Sequence, residues 1–117
     1  MSAFAWSPVP EVDAAEGHRR VAHGALLLDI REEPEWRAGH AEGAVWIPMG
    51  QLVERRAELP ADRPVVVICR SGNRSAHVTE ALLAWGHDAA NLAGGSLAWV
   101  AAGLPFVTDD GRPGTVA

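Results

Sequence analysis

VVVICRSGNRS, running from Val65 to Ser75, is the stretch on which the reading of this chain turns. Its first four residues are a continuous run of branched apolar side chains, the pattern of a strand covered on both faces in a parallel sheet. A polar loop opens at Cys69, and from Ala76 to Trp85 the chain reads as a helix closed by Gly86. Val78, Ala81, Leu82 and Trp85 fall at i, i+3, i+4 and i+7, with His77 and Glu80 on the other side, so one stripe is expected to pack on the sheet. The local unit is strand, tight loop, helix.

The same unit recurs outward from it. ALLLDI, Ala25 to Ile30, reads as a second covered strand, and helix-like segments come after it from Pro34 to Ala38 before Gly39 and from Met49 to Ala57 before Pro60. Ala89 to Leu92 reads as a further short strand and Ser96 to Ala102 as a last helix stopped by Gly103 and Pro105. The opening residues suggest an edge strand and a helix through Val12 to His23, and the tail from Thr108 reads as a frayed end. Alternating strands and helices point to an open α/β sheet, in which ligands sit outside the carboxyl ends of the strands. Asp29 and Cys69 close the two strong strands, so both are expected to face one crevice.

Composition narrows the setting. A chain of 117 residues, 48% hydrophobic and without an internal repeat, is expected to form one domain over residues 1–117. The single Cys excludes an internal disulfide framework and a Cys-rich zinc site, and favours a reducing, cytoplasmic setting. The start has no basic region followed by an apolar stretch, and no apolar run approaches the roughly 18 residues of a membrane span, so a soluble protein is expected. The net charge is −5 and all ten basic residues are Arg, which argues against nucleic acid or an anionic membrane as partner. His18, His23, His77 and His87 match no metal-binding spacing and are expected at the surface.

The chemistry is expected at the loop. A thiol at the amino end of a helix meets unpaired N–H groups and the positive end of the macrodipole, with two guanidinium groups nearby, and all three favour the thiolate. Gly72 can take positive φ, which lets successive N–H groups converge on the sulfur, and Asn73 tolerates the same region. An inert, packed Cys is the plainer alternative, but an apolar site would not place two Arg within five residues. Arg70 and Arg74 could be solvated surface charges; as planar forks they suit a divalent oxyanion, which a chain of net charge −5 must attract locally. Arg70 is the favoured substrate contact and Arg74 the partly structural one, an assignment the sequence leaves open.

CRSGNRS after an apolar strand, LLLDIREEPEW from Leu26 to Trp36, GHAEGAVWIP from Gly39 to Pro48 and LAGGSLAW from Leu92 to Trp99, in that order, closely resemble the single-domain rhodanese family over about residues 25–105. The resemblance implies a rhodanese-like parallel five-stranded sheet flanked by helices on both faces. It implies Cys69 as the persulfide-forming residue and Cys69, Arg70, Ser71, Gly72, Asn73 and Arg74 as the active-site loop. Asp29 is expected to support that loop, accepting hydrogen bonds from it or pairing with Arg31 or Arg74; otherwise it is a strand-end acid capping the helix at Pro34. His40 resembles a structural residue of the Gly39 turn, Trp36 and Trp99 are expected in the core or walling the pocket, and Gly94 and Gly95 in a strand-to-helix turn.

The implied activity is that of a thiosulfate sulfurtransferase. The Cys69 thiolate would attack the outer sulfur of thiosulfate, expel sulfite and become a persulfide, and a second nucleophile, cyanide in an assay or a thiol in life, would remove that sulfur. No metal or organic cofactor is required. With no second Cys to resolve the persulfide, the acceptor must be external, a thiol or a partner protein. Cysteine phosphatases and arsenate reductases resemble this loop but place five residues between Cys and Arg, whereas four separate Cys69 from Arg74. Mercaptopyruvate-specific relatives carry a Gly- and Thr-containing loop without the paired Arg. A non-catalytic binding or sulfur-sensing module on the same fold is the remaining reading.

Overall fold

Branched apolar side chains pack best on a pleated surface covered from both sides, and the two runs rich in them become the centre of the sheet. The computed structural model describes residues 9–117; residues 1–8, part of the start expected to lack a basic and apolar leader, lie outside the described residues. In chain order the elements are β1 (Glu11–Val12), α1 (Ala14–Ala22), β2 (Leu26–Asp29), α2 (Glu33–Ala38), β3 (His40–Ala41), β4 (Val45–Trp46), α3 (Leu52–Arg55), β5 (Val65–Ile68), α4 (Asn73–Ala84), β6 (Ala89–Leu92), α5 (Gly95–Ala101) and β7 (Phe106–Val107). The five-stranded sheet has the order β1-β6-β5-β2-β4, and every neighbouring pair in it is parallel. A small antiparallel pair, β3 with β7, lies outside it.

The pleat decides what each face holds. Leu26, Leu28 and Ile30 share one face with Val65, Val67 and Cys69 and pack against Leu52 of α3 and Val78 and Leu82 of α4. Leu27, Val66 and Ile68 share the other with Ala14 of α1, Trp99 of α5 and Phe106. Helices therefore cover both sides, as expected of an α/β sheet. No helix among the described residues is long and apolar enough to cross a membrane.

The same alternation corrects the expectation of one crevice for Asp29 and Cys69. Asp29 pairs in register with Ile68, one residue before Cys69, so its side chain leaves the opposite face. There it pairs with Arg31, whose Nε and Nη2 donate to the Asp29 carboxylate at 3.0 and 2.8 Å, and both side chains are 0% exposed. Arg31 Nη2 also donates to Gly39 O at 2.8 Å, tying the end of β2 to the turn after α2. Asp29 bonds neither the Cys69 loop nor Arg74, and it does not cap α2; Glu32 and Glu35 form that capping box.

Three other expectations shift. The helix read through Met49 to Ala57 is α-helical only from Leu52 to Arg55, because both flanks tighten into single 3-10 turns closed by Gln51 N on Pro48 O and Leu59 N on Arg56 O. The helix after the loop starts at Asn73, three residues early, so Asn73 is helical rather than left-handed. The tail read as frayed turns back and packs. Gly114 N donates to Phe106 O and Thr115 N to Ala38 O, both at 2.9 Å, and Val116 packs against the cluster containing Trp99 and Phe106. The contact depends on two glycines: a Cβ on Gly114 would lie 2.7 Å from Gly39 Cα. Polar, Gly-rich composition suggested fraying, but the contact that orders the tail is tertiary.

Candidate active site

β5 ends at Ile68, and Cys69 is the first residue beyond it. Gly72, at φ 106°, turns the chain so that α4 starts pointing at the sulfur. Gly72 N donates to Cys69 Sγ at 3.1 Å, Ser75 N at 3.4 Å and the Ser75 hydroxyl at 3.1 Å. A second helix start supports the loop from beneath. Ser96 N donates to Cys69 O at 2.7 Å and Leu97 N to Arg70 O at 3.1 Å. That approach needs Gly95, since a Cβ there would lie 2.4 Å from Cys69 O. α4 thus supplies donors to the sulfur, and α5 supplies donors to the loop carbonyls.

The electrostatics derive from those contacts. Burial is the largest influence on Cys69, which is 1% exposed, and it pushes the thiol toward its neutral form. The Ser75 hydroxyl and the N–H groups of Ser75, Gly72 and Ser71 together outweigh it, leaving the thiol below its ordinary pKa.

The two loop arginines differ. Arg74 forks onto Glu35, Nη1 to Oε1 and Nη2 to Oε2 at 2.8 Å each, which raises the Arg74 pKa and lowers that of Glu35. Arg70 is exposed, its Nε donates to Ala117 O at 3.0 Å, and among the described residues no Asp or Glu pairs with it.

Residues 13–102 match the Rhodanese-like domain family. The chain belongs to that family. A protein named sulfurtransferase from Allochromatium vinosum is 39% identical over 106 residues, 88% of this chain and 99% of that one. Thiosulfate sulfurtransferase 18 of Arabidopsis thaliana is 33% identical over 121 residues, 90% of this chain and 88% of that one. Among solved structures, a rhodanese-related protein from Thermoplasma volcanium is similar with a TM-score of 0.80 at 31% identity, covering 86% of this chain and 99% of that one.

In this rhodanese-like domain the loop residues read from the sequence divide by position. Cys69, Ser71 and Gly72 form the sulfur cradle together with Ser75, Asn73 opens α4 at the surface, and Arg70 and Arg74 flank it. Asp29 and Arg31 belong to the other face. His40 stacks on Trp36 with centroids 3.5 Å apart and its Nδ1 lies 3.0 Å from Trp36 O, while Trp99 is buried and donates to Pro105 O. Two residues escape a reading of the sequence alone. Ser75 stands at the edge of the loop, and its hydroxyl is the one side-chain donor to sulfur among the described residues. Asn91 is the one polar residue of the buried strand AANL, and a lone polar side chain in an apolar strand is the signal that could have found it.

Proposed function

We propose that this rhodanese-like domain is a sulfurtransferase that carries sulfane sulfur on Cys69, with thiosulfate or a persulfide as donor and an external thiol or thiol-bearing protein as acceptor. The observation that supports it most is the imbalance around Sγ, where two backbone N–H groups and a hydroxyl lie within hydrogen-bond reach. Such a cradle favours anionic sulfur as thiolate and again as persulfide. The thiolate attacks the outer sulfur of thiosulfate, the S–S bond breaks, and its electron pair leaves on sulfite. The new S–S bond places the outer sulfur about 2 Å beyond Sγ. An acceptor thiolate then attacks that sulfur and the electron pair returns to Cys69.

Arg70 is the residue assigned to the departing sulfite, because Arg74 is already committed to Glu35. Arg74 holds α2 against the loop instead. The mechanism calls on no metal or organic cofactor. The chain has one Cys, so the sulfur must pass to another molecule, and a reducing, cytoplasmic setting would supply thiols for that step.

The test is intact-protein mass spectrometry of the wild type and Cys69→Ser after thiosulfate treatment and removal of excess reagent. The expected result is a gain of about 32 Da in wild type only, one sulfur, removed by dithiothreitol. A wild type that takes up no sulfur would overturn thiosulfate as donor.

A further inference from the structure

Asn91 lies in β6 beside the sulfur-bearing strand and is 1% exposed. Its Nδ2 donates to Gly72 O and to Glu11 Oε2, each at 3.1 Å, and a carbonyl and a carboxylate can only accept. Those two partners fix the amide, so Oδ1 faces the Ser75 hydroxyl at 2.5 Å. The same hydroxyl is 3.1 Å from Cys69 Sγ. One hydroxyl proton therefore stands between two acceptors.

When Cys69 is a thiol, the chain of bonds closes. The S–H donates to Ser75 Oγ and the hydroxyl donates to Asn91 Oδ1. When the sulfur is anionic, its proton has left to solvent, and the hydroxyl turns to Sγ for a charge-assisted bond. Asn91 Oδ1 then loses its donor in a buried site, which is unfavourable. We propose that Asn91 is a positioning residue that competes with the Cys69 sulfur for the Ser75 hydroxyl proton and so restrains how strongly the loop favours anionic sulfur. The restraint has a chemical use: nucleophilicity falls as thiol pKa falls, and a thiol that titrates near ambient pH attacks fastest.

The charged groups around Cys69 leave this competition to Asn91. Arg74, the second residue of α4, pairs with Glu35 of α2, and Cys69 and Glu32 also lie close enough to act on the same guanidinium. Arg70 lies in the loop against Ala117, Glu11 accepts from Asn91, and the Asp29–Arg31 pair lies behind the sheet.

The inference rests on Cys69 as the reactive sulfur but not on any donor, and the single Cys makes its titration unambiguous. The experiment tracks the pH dependence of iodoacetamide alkylation in full-length wild type, Asn91→Leu, Asn91→Ala, Ser75→Ala and the Ser75→Ala/Asn91→Leu double variant. Asn91→Leu is expected to lower the titration midpoint by roughly 0.5–1 unit and Ser75→Ala to raise it by a similar amount, the scale of one redistributed hydrogen bond. With Ser75→Ala in place, Asn91→Leu is expected to shift it no further. A midpoint that stays or rises in Asn91→Leu, or a shift that survives Ser75→Ala, overturns the proposal. If circular dichroism finds Asn91→Leu unfolded, Asn91→Ala is judged by the same criterion. Failure of sulfur uptake from thiosulfate would leave this titration standing, so the two readings fail separately.

Discussion

β2 and β5 are alike along their length and opposite in the chemistry at their carboxyl ends. Both are four-residue strands buried throughout, they pair in register, and each carries at its end a polar group with an Arg within two residues of it. At the end of β2 the acid meets its own guanidinium, and the charges cancel behind the sheet. At the end of β5 the sulfur meets backbone N–H groups and a hydroxyl, while the Arg74 guanidinium of the same loop is already paired elsewhere. Asp29 is the last residue of its strand and Cys69 the first after its own, and that single step along the pleat sends the two side chains to opposite faces. A cancelled pair locks the fold, whereas a surplus of donors leaves a place for arriving negative charge.

The difference can be broken from the closed end first. Arg31→Ala leaves the Asp29 carboxylate buried without its partner and is expected to cost about 3–5 kcal/mol in urea unfolding. Asp29→Leu with Arg31→Met should recover most of that loss and leave the Cys69 alkylation rate of the folded protein unchanged, because both changes lie behind the sheet. At the open end, Gly95→Ala puts a Cβ against the Cys69 carbonyl at φ 58° and is expected to cost on the order of 2 kcal/mol. By displacing the loop it should also slow alkylation by up to about 100-fold, a readout Asp29 and Arg31 do not move.

The smallest effect belongs to the pair that joins the two ends of the comparison. Glu35 is held below its ordinary pKa by Arg74, so its ion pair contributes fully above the unfolded value of about 4.3 and is lost as pH falls through the lower folded value. Glu35→Gln should therefore cost about 0.5–1 kcal/mol at pH 7, discounted for the half-buried setting of Arg74. Thermal melts of the two proteins should draw together as pH falls below the unfolded value and converge once it has passed the lower folded value of Glu35.

The features legible in the sequence were local or periodic. The apolar runs at Val65 to Ile68 and Leu26 to Asp29, the stripe of Val78 and Leu82, and Gly72 before a helix each state their structure within a few neighbours. An open α/β sheet could be read from them, and the resemblance carried by the four motifs implied the five parallel strands, the helices on both faces and the family. The rest depends on contacts between distant residues. The face taken by Asp29 turns on a one-residue offset between two strands, and the order of the tail turns on Gly39 meeting Gly114. Asn91 reads as an ordinary polar residue until β6 is known to lie beside β5. The loop could be read as a sulfur site, but how its two arginines are divided required Glu35 and Ala117 to be brought in from elsewhere in the chain.

The segment after β7 finishes with the Ala117 main-chain oxygen on Arg70 Nε, against the loop that carries the sulfur. A purification tag or fused carrier attached behind Ala117 would therefore begin its first bond within reach of that guanidinium. Immobilising the protein by such a tag would bring the support matrix to the mouth of the site. Rates measured on it would then report the anchor's crowding and charge together with the chemistry of Cys69.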